Sequence, residues 1–167
     1  VWRGVKALPT RRGRPEALPL EDLAASILRA GDAATPAPLI PNPDLVPWLA
    51  LNYLCVLRPS EVVTLVRGRF EYEPIRNERG KVVHDRSLAR LERHKTAWRG
   101  EDYERFVLLT PEAQSWLAIA RVAWTRLSSY SKAAVAAGFS GGPHVLRDSA
   151  ASHLRARGVP LADVKIV

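Results

Sequence analysis

Apolar residues in this chain come in short stretches cut by proline and glycine. None approaches the roughly 18 residues that a membrane-spanning helix requires. That punctuation confines the chain to short amphipathic helices and single strands packed against one another. At 167 residues and 47% apolar composition, one domain with a real core is expected. The opening Val1-Trp2-Arg3-Gly4-Val5-Lys6 lacks the apolar stretch of a secretory signal. The single cysteine, Cys55, rules out an internal disulfide and offers no zinc framework. It lies within the apolar run Trp48–Leu57 and reads as buried packing rather than a reactive thiol. A soluble, intracellular domain is the expectation.

Periodicity and punctuation place the elements. Residues 1–17 are basic, contain Pro9 and Pro15, and read as a linker or arm; the domain proper is expected over 18–167. Leu20, Leu23, Ala24, Ile27 and Leu28 share one face of a helix that Gly31 stops. Residues 33–41 read as a loop. Asn42-Pro43 is then expected to cap a helix running to about Val56, and Pro59 to open a short one carrying Glu61, Val62 and Leu65. Phe70–Glu73 alternates like a strand, Asn77–Gly80 reads as a turn, a second strand is expected within 88–95, and a third over Arg105–Leu109. Pro111 is expected to start a long amphipathic helix with Trp116, Leu117, Ala120, Ala123, Trp124 and Leu127 on its apolar side. A helix over 131–137 ends at Gly138, and another runs from His144 to about Arg157, with Gly158 as its cap and Pro160 opening one more. The expected class is α+β, mainly α: a helical domain with a small three-stranded antiparallel sheet.

Charge narrows the partner. Twenty-five Lys and Arg against 17 Asp and Glu give a net charge of +8, which favours a polyanion. The excess is uneven. Residues 1–14 carry five basic residues and no acid, and residues 79–99 carry Arg79, Lys81, Arg86, Arg90, Arg93, Lys95 and Arg99 against Asp85 and Glu92. Clusters of this kind bind phosphates because each contact releases counterions. A solvated basic surface would read the same way.

Three short motifs carry candidate chemistry. Arg58-Pro59-Ser60-Glu61 sets an arginine in a rigid turn between two helices, with Glu61 placed to brace it or to satisfy backbone groups; a surface Arg–Glu pair has the same pattern. His144-Val145-Leu146-Arg147 puts an imidazole and a guanidinium on one helical face, with Leu146 turned to the core. The preceding Gly141-Gly142-Pro143 leaves a helix start where backbone N–H groups favour an anion. A capping histidine and a solvated arginine would look alike. Third comes His94-Lys95-Thr96, a lysine near a hairpin tip, followed by the strand Arg105-Phe106-Val107-Leu108-Leu109. His84, His94 and His153, without cysteine or paired carboxylates at ligand spacing, do not make a metal site; His153 reads as a helix-surface residue. The five Trp read mostly as core, with Trp98 a candidate DNA contact.

In this order the three motifs resemble the catalytic domain of tyrosine-type site-specific recombinases, the phage-integrase family, over residues 18–167. The resemblance implies that Arg58 and Arg147 bind the scissile phosphate and stabilise its transition state. It implies Lys95 as the general acid for the departing 5′-hydroxyl and His144 as an aid to proton transfer. Glu61 and Asp148 take supporting positions, and Arg93, Thr96 and Arg99 contact DNA. No metal or other cofactor is implied. The implied partner is double-stranded DNA, bound by a homotetramer of the full-length protein at the nucleoid in the cytoplasm, with no membrane role. Asp148 departs from the family, which often has a second histidine there. The nucleophilic tyrosine is absent: Tyr53, Tyr72, Tyr103 and Tyr130 read as packing or surface residues, so this chain is expected not to cleave DNA by itself. A catalytically inactive DNA-binding relative, or a helical interaction protein with a basic surface, would share much of this pattern.

Overall fold

The computed structural model describes residues 17–34, 39–92 and 105–160. Lys95, Arg93, Thr96, Arg99, Trp98 and Tyr103, the basic arm up to residue 16, and all but the first residue of the helix expected from Pro160 lie outside them.

Among the described residues the chain forms six helices and one three-stranded antiparallel sheet, in the order α1 (Leu20–Arg29), α2 (Leu45–Leu54), α3 (Pro59–Val66), β1 (Phe70–Arg76), β2 (Val82–Leu91), β3 (Phe106–Leu108), α4 (Pro111–Ile119), α5 (Leu127–Ala136) and α6 (His144–Ala156). The class is mixed α and β, mainly helical. The sheet order is β1-β2-β3.

Helix α2 is the centre of the core. It is apolar nearly all round, as a helix packed on every side must be, and Leu45 through Asn52 are buried apart from a partly exposed Val46. Its Trp48 meets Trp124 edge-on at 5.0 Å and Tyr130 at 5.1 Å. Asn52, buried beneath it, donates to the Leu57 carbonyl and accepts from the Tyr130 hydroxyl, which also donates to the Trp48 carbonyl. An Asn52→Leu substitution takes the amide donor from the buried Leu57 carbonyl and leaves the Tyr130 hydroxyl only the Trp48 carbonyl, so urea denaturation should show a loss of about 1–3 kcal/mol. A loss below a few tenths would mean the polar pair is solvated.

Several expectations need correction. The helix from Pro111 does not reach Leu127. It closes at Ala120, whose ψ of 119 is extended, and α5 starts at Leu127, four residues before the expected Ser131. The break has a tertiary cause: the Trp48 indole donates to the Arg121 carbonyl at 2.9 Å, and Trp124 turns in against Trp48. Such packing outweighs helix propensities of a few tenths of a kcal/mol per residue. Leu127 is exposed as a result.

Asn42 is not the cap of α2. Its Oδ1 accepts from the Asp44 N–H, closing a local turn, and Asp44 stands at the N-cap. The helix ends at Leu54 because Val56 adopts φ 50. Along α1 only Leu23 and Ile27 of the expected stripe are buried, together with Ala30 beyond the helix; Leu20, Ala24 and Leu28 face outward. Gly31 does stop that helix, and a Cβ there would lie 2.6 Å from Val46 Cγ2, so any larger residue would have to displace the Val46 side chain of α2.

Strand β2 spans Val82–Leu91, not 88–95. Hairpin pairing starts directly after the turn, through His84-Asp85-Arg86, where both faces are wet and no apolar alternation marks a strand. No single helix among the described residues is long and apolar enough to cross a membrane; α2 and α3 reach that length only together, bent by 117° and largely buried.

Candidate functional site

The site forms where α2 hands over to α3. Val56 holds a left-handed backbone, φ 50, which is costly for a β-branched residue. That conformation turns its carbonyl toward α6, where Arg147 Nε donates to it at 3.1 Å. Two residues on, Arg58 is the N-cap of α3, held extended before Pro59. Glu61, fully buried, accepts from the Arg58 N–H at 2.8 Å through Oε2 and from Arg58 Nη1 at 2.9 Å through Oε1. The carboxylate therefore serves as half of a capping box and as the counterion of the residue it caps. The pair is not a solvated surface pair, since Glu61 has no exposed side-chain area.

Arg105 is the residue that spacing did not single out. It stands just before β3, is nearly buried, and places Nε 3.7 Å from Glu61 Oε1. Burial lowers its guanidinium from the ordinary value; Glu61 opposes that, and the charges of Arg147 and Arg58 reinforce it. Arg147 is lowered by burial and then by Arg58, with Glu61 and Asp148 opposing. Guanidinium groups stay charged through such shifts. Arg58 of the α2–α3 turn and Arg105 just before β3 meet one buried carboxylate, and Arg147 of α6 reaches the same turn through the Val56 carbonyl. The only sequence signal for Arg105 is a cation opening an otherwise apolar strand.

The structure brings Arg58, Glu61 and Arg147 together. Asp148 is partly buried and acts on Arg147 through its charge, while its backbone carbonyl accepts from Ser152 Oγ. His144, exposed, opens α6 one turn before Arg147. The helix start is less open to an anion than expected. The Gly142 N–H bonds Phe139 O, Val145 N–H bonds Gly142 O, and Leu146 N–H bonds Pro143 O. Those donors are engaged in a tight turn, so anion binding falls to the side chains. Leu146 is fully buried, as its spacing predicts.

His153 is not a surface residue. It is half-buried, with Nε2 2.8 Å from Leu18 O and Nδ1 2.8 Å from Tyr53 Oη. Because a carbonyl only accepts, Nε2 carries a proton and donates it to Leu18 O, while Nδ1 shares a hydrogen bond with the Tyr53 hydroxyl. Leu18 N–H also donates to the buried Ser149 Oγ at 3.1 Å, so both backbone groups of Leu18 are fastened to α6. The helix that carries Arg147 and His144 thereby also anchors the start of the domain. Cys55 is buried beside the cluster and burial pushes its thiol up to about 12, with Arg105 opposing; it is inert packing, as its place in an apolar run suggests. Among the described residues no group of His, Cys, Asp or Glu could hold a metal ion.

Comparison with protein-family models, with curated proteins and with solved structures finds no match.

Proposed function

We propose that the arginine cluster binds a DNA phosphodiester, and that the chain belongs to the catalytic domain of a tyrosine-type site-specific recombinase. The observation that carries this reading is Glu61: a fully buried carboxylate that organises Arg58 and Arg105, with Arg147 held beside them from a helix far along the chain. Arg58 retains a third of its side-chain exposure and Arg147 is half-buried, so both can meet a ligand while held in place. Arg58 uses Nη1 on Glu61 and Arg147 uses Nε on Val56 O, which leaves terminal N–H groups of both forks for non-bridging phosphate oxygens. The order of elements, helices then a small sheet then helices, supports the same family.

In the proposed reaction a tyrosine oxygen attacks phosphorus, the bond to the 5′-oxygen breaks, and that oxygen takes a proton from Lys95. Arg58 and Arg147 meet the charge that grows on the phosphoryl oxygens, and His144 assists proton transfer at the rim. Religation reverses these steps, with the bond energy conserved in the phosphotyrosyl link. The attacking phenol is neither Tyr53, bonded to His153 and raised by burial, nor Tyr130, fully enclosed in the core.

Duplex binding by the chain should weaken steeply with salt, log affinity falling linearly with log concentration at a slope of about −0.9 per phosphate contact. Fluorescence anisotropy on a labelled duplex measures this. A flat response would point instead to a helical interaction protein whose basic surface is only solvated.

A further inference from the structure

The hairpin made by β1 and β2 is longer than the sheet it belongs to. Strand β3 pairs with β2 only across Leu88–Arg90, and Leu109 N–H closes the ladder on Ser87 O. Beyond that point β1 and β2 run on as a two-stranded ribbon. From Leu88 to Val82 the ribbon extends roughly 20 Å at about 3.3 Å per residue. The register slips between Glu73 and Ile75, and again between Ile75 and Arg76, so β2 carries extra residues opposite Pro74, which has no N–H to donate. Bulges of this kind bend a ribbon away from its sheet.

Every residue from Arg76 to Arg86 is exposed. This stretch contributes nothing to the core, and Val82 and Val83 stand in solvent. Its tip is nevertheless tightly built. Asn77 Oδ1 accepts from the N–H groups of Arg79 and Lys81, both at 3.0 Å, and Asn77 N–H donates to Lys81 O at 2.9 Å. Arg76 Nη1 donates to Gly80 O at 2.9 Å, and Gly80 takes the positive φ of 73 that the turn needs. A rigid tip with no part in the core is a presentation device: it holds Arg79 and Lys81 in place before any partner arrives, which lowers the entropy lost on binding. Over residues 76–86 there are four Lys and Arg against Glu78 and Asp85.

We propose that this ribbon is a second duplex-DNA contact, separate from the arginine cluster, with Arg79 and Lys81 placed on the phosphates that border a groove. The inference rests on the DNA reading of the chain. Its shape fits: a two-stranded ribbon is one of the two elements that the major groove admits. A length of roughly 20 Å corresponds to about six base pairs at 3.4 Å each.

The test compares the chain with an Arg79→Ala/Lys81→Ala variant for binding to a fluorescein-labelled duplex over a range of salt. Both side chains are exposed and outside the core, and circular dichroism checks that the fold is retained. Two lost phosphate contacts should weaken binding about tenfold at low salt and make the salt slope shallower by about 2. The charge-preserving Arg79→Lys/Lys81→Arg variant should keep the original slope. If the parent chain binds duplex steeply with salt and the alanine variant matches it, the ribbon is no DNA contact and the cluster reading stands untouched. A parent chain with no salt-dependent duplex binding overturns the DNA reading and the ribbon with it. Loss of binding to phosphatidylserine vesicles, with duplex affinity unchanged, would reassign the ribbon to a membrane surface and equally overturn the inference.

Discussion

Replacing Glu61 with alanine is expected to destabilise the domain by about 3–5 kcal/mol, the usual cost of leaving a buried charge without its partner. For a domain whose total stability is of order 5–15 kcal/mol, that places the variant near unfolding. The size of the effect follows from what Glu61 does. It caps α3 through the Arg58 N–H, pairs with the Arg58 guanidinium, and lies beside Arg105 with its own side chain fully buried. It also opposes the mutual repulsion that burial sharpens between Arg105, Arg147 and Arg58. Glu61→Gln keeps an oxygen for the Arg58 N–H and loses only the charge, so it should fall between alanine and the parent in urea denaturation. If the cluster takes phosphate, inorganic phosphate should raise the midpoint of the Gln variant, because an anion bound only to the folded state stabilises it. An alanine variant within 1 kcal/mol of the parent would show that water, not Glu61, screens the arginines.

The second large effect is on chemistry. On the proposed recombinase reading, with an attacking tyrosine supplied, Arg147→Ala should lower strand cleavage by about 10³-fold, while duplex affinity falls about tenfold or less. The asymmetry is the diagnostic feature. A contact that strengthens as charge develops on the phosphoryl oxygens affects the transition state more than the ground state. Arg147 also holds the Val56 carbonyl, so alanine costs about 1 kcal/mol of folding stability as well. That loss is too small to account for the rate, and a thermal melt separates the two. Arg147→Lys should recover little activity, since an ammonium cannot hold the Val56 carbonyl and present a planar fork at once. Equal losses in cleavage and binding would make Arg147 a DNA anchor and remove it from the proposed mechanism.

The short motifs differ in how much of their surroundings lies within their own few residues. Arg58 and Glu61 were legible because a cation before Pro and a carboxylate at the third helical position form a local unit, complete within four residues. Arg147 was legible through its helical spacing from His144, but its partner Val56 lies 91 positions away and carried no signal. Arg105 looked like an ordinary strand residue until the fold set it beside Glu61. His153 reads as surface because its two partners, Tyr53 and Leu18, lie 100 and 135 positions away in the sequence.

Local physics alone determined the class of the chain, the places where Pro59 and Pro111 open helices, the tight turn at Asn77–Gly80 and the burial of Leu146. These features depend on dihedral preferences, missing N–H groups and apolar spacing over a few residues. The tertiary structure decided where helices yield to packing and which charges meet. Trp124 and Trp48 end α4 early, Val56 takes a strained backbone to reach Arg147, and one buried carboxylate gathers arginines from separate segments. Each of those outcomes weighs a small local preference against a larger contact that exists only once distant parts of the chain have been brought together.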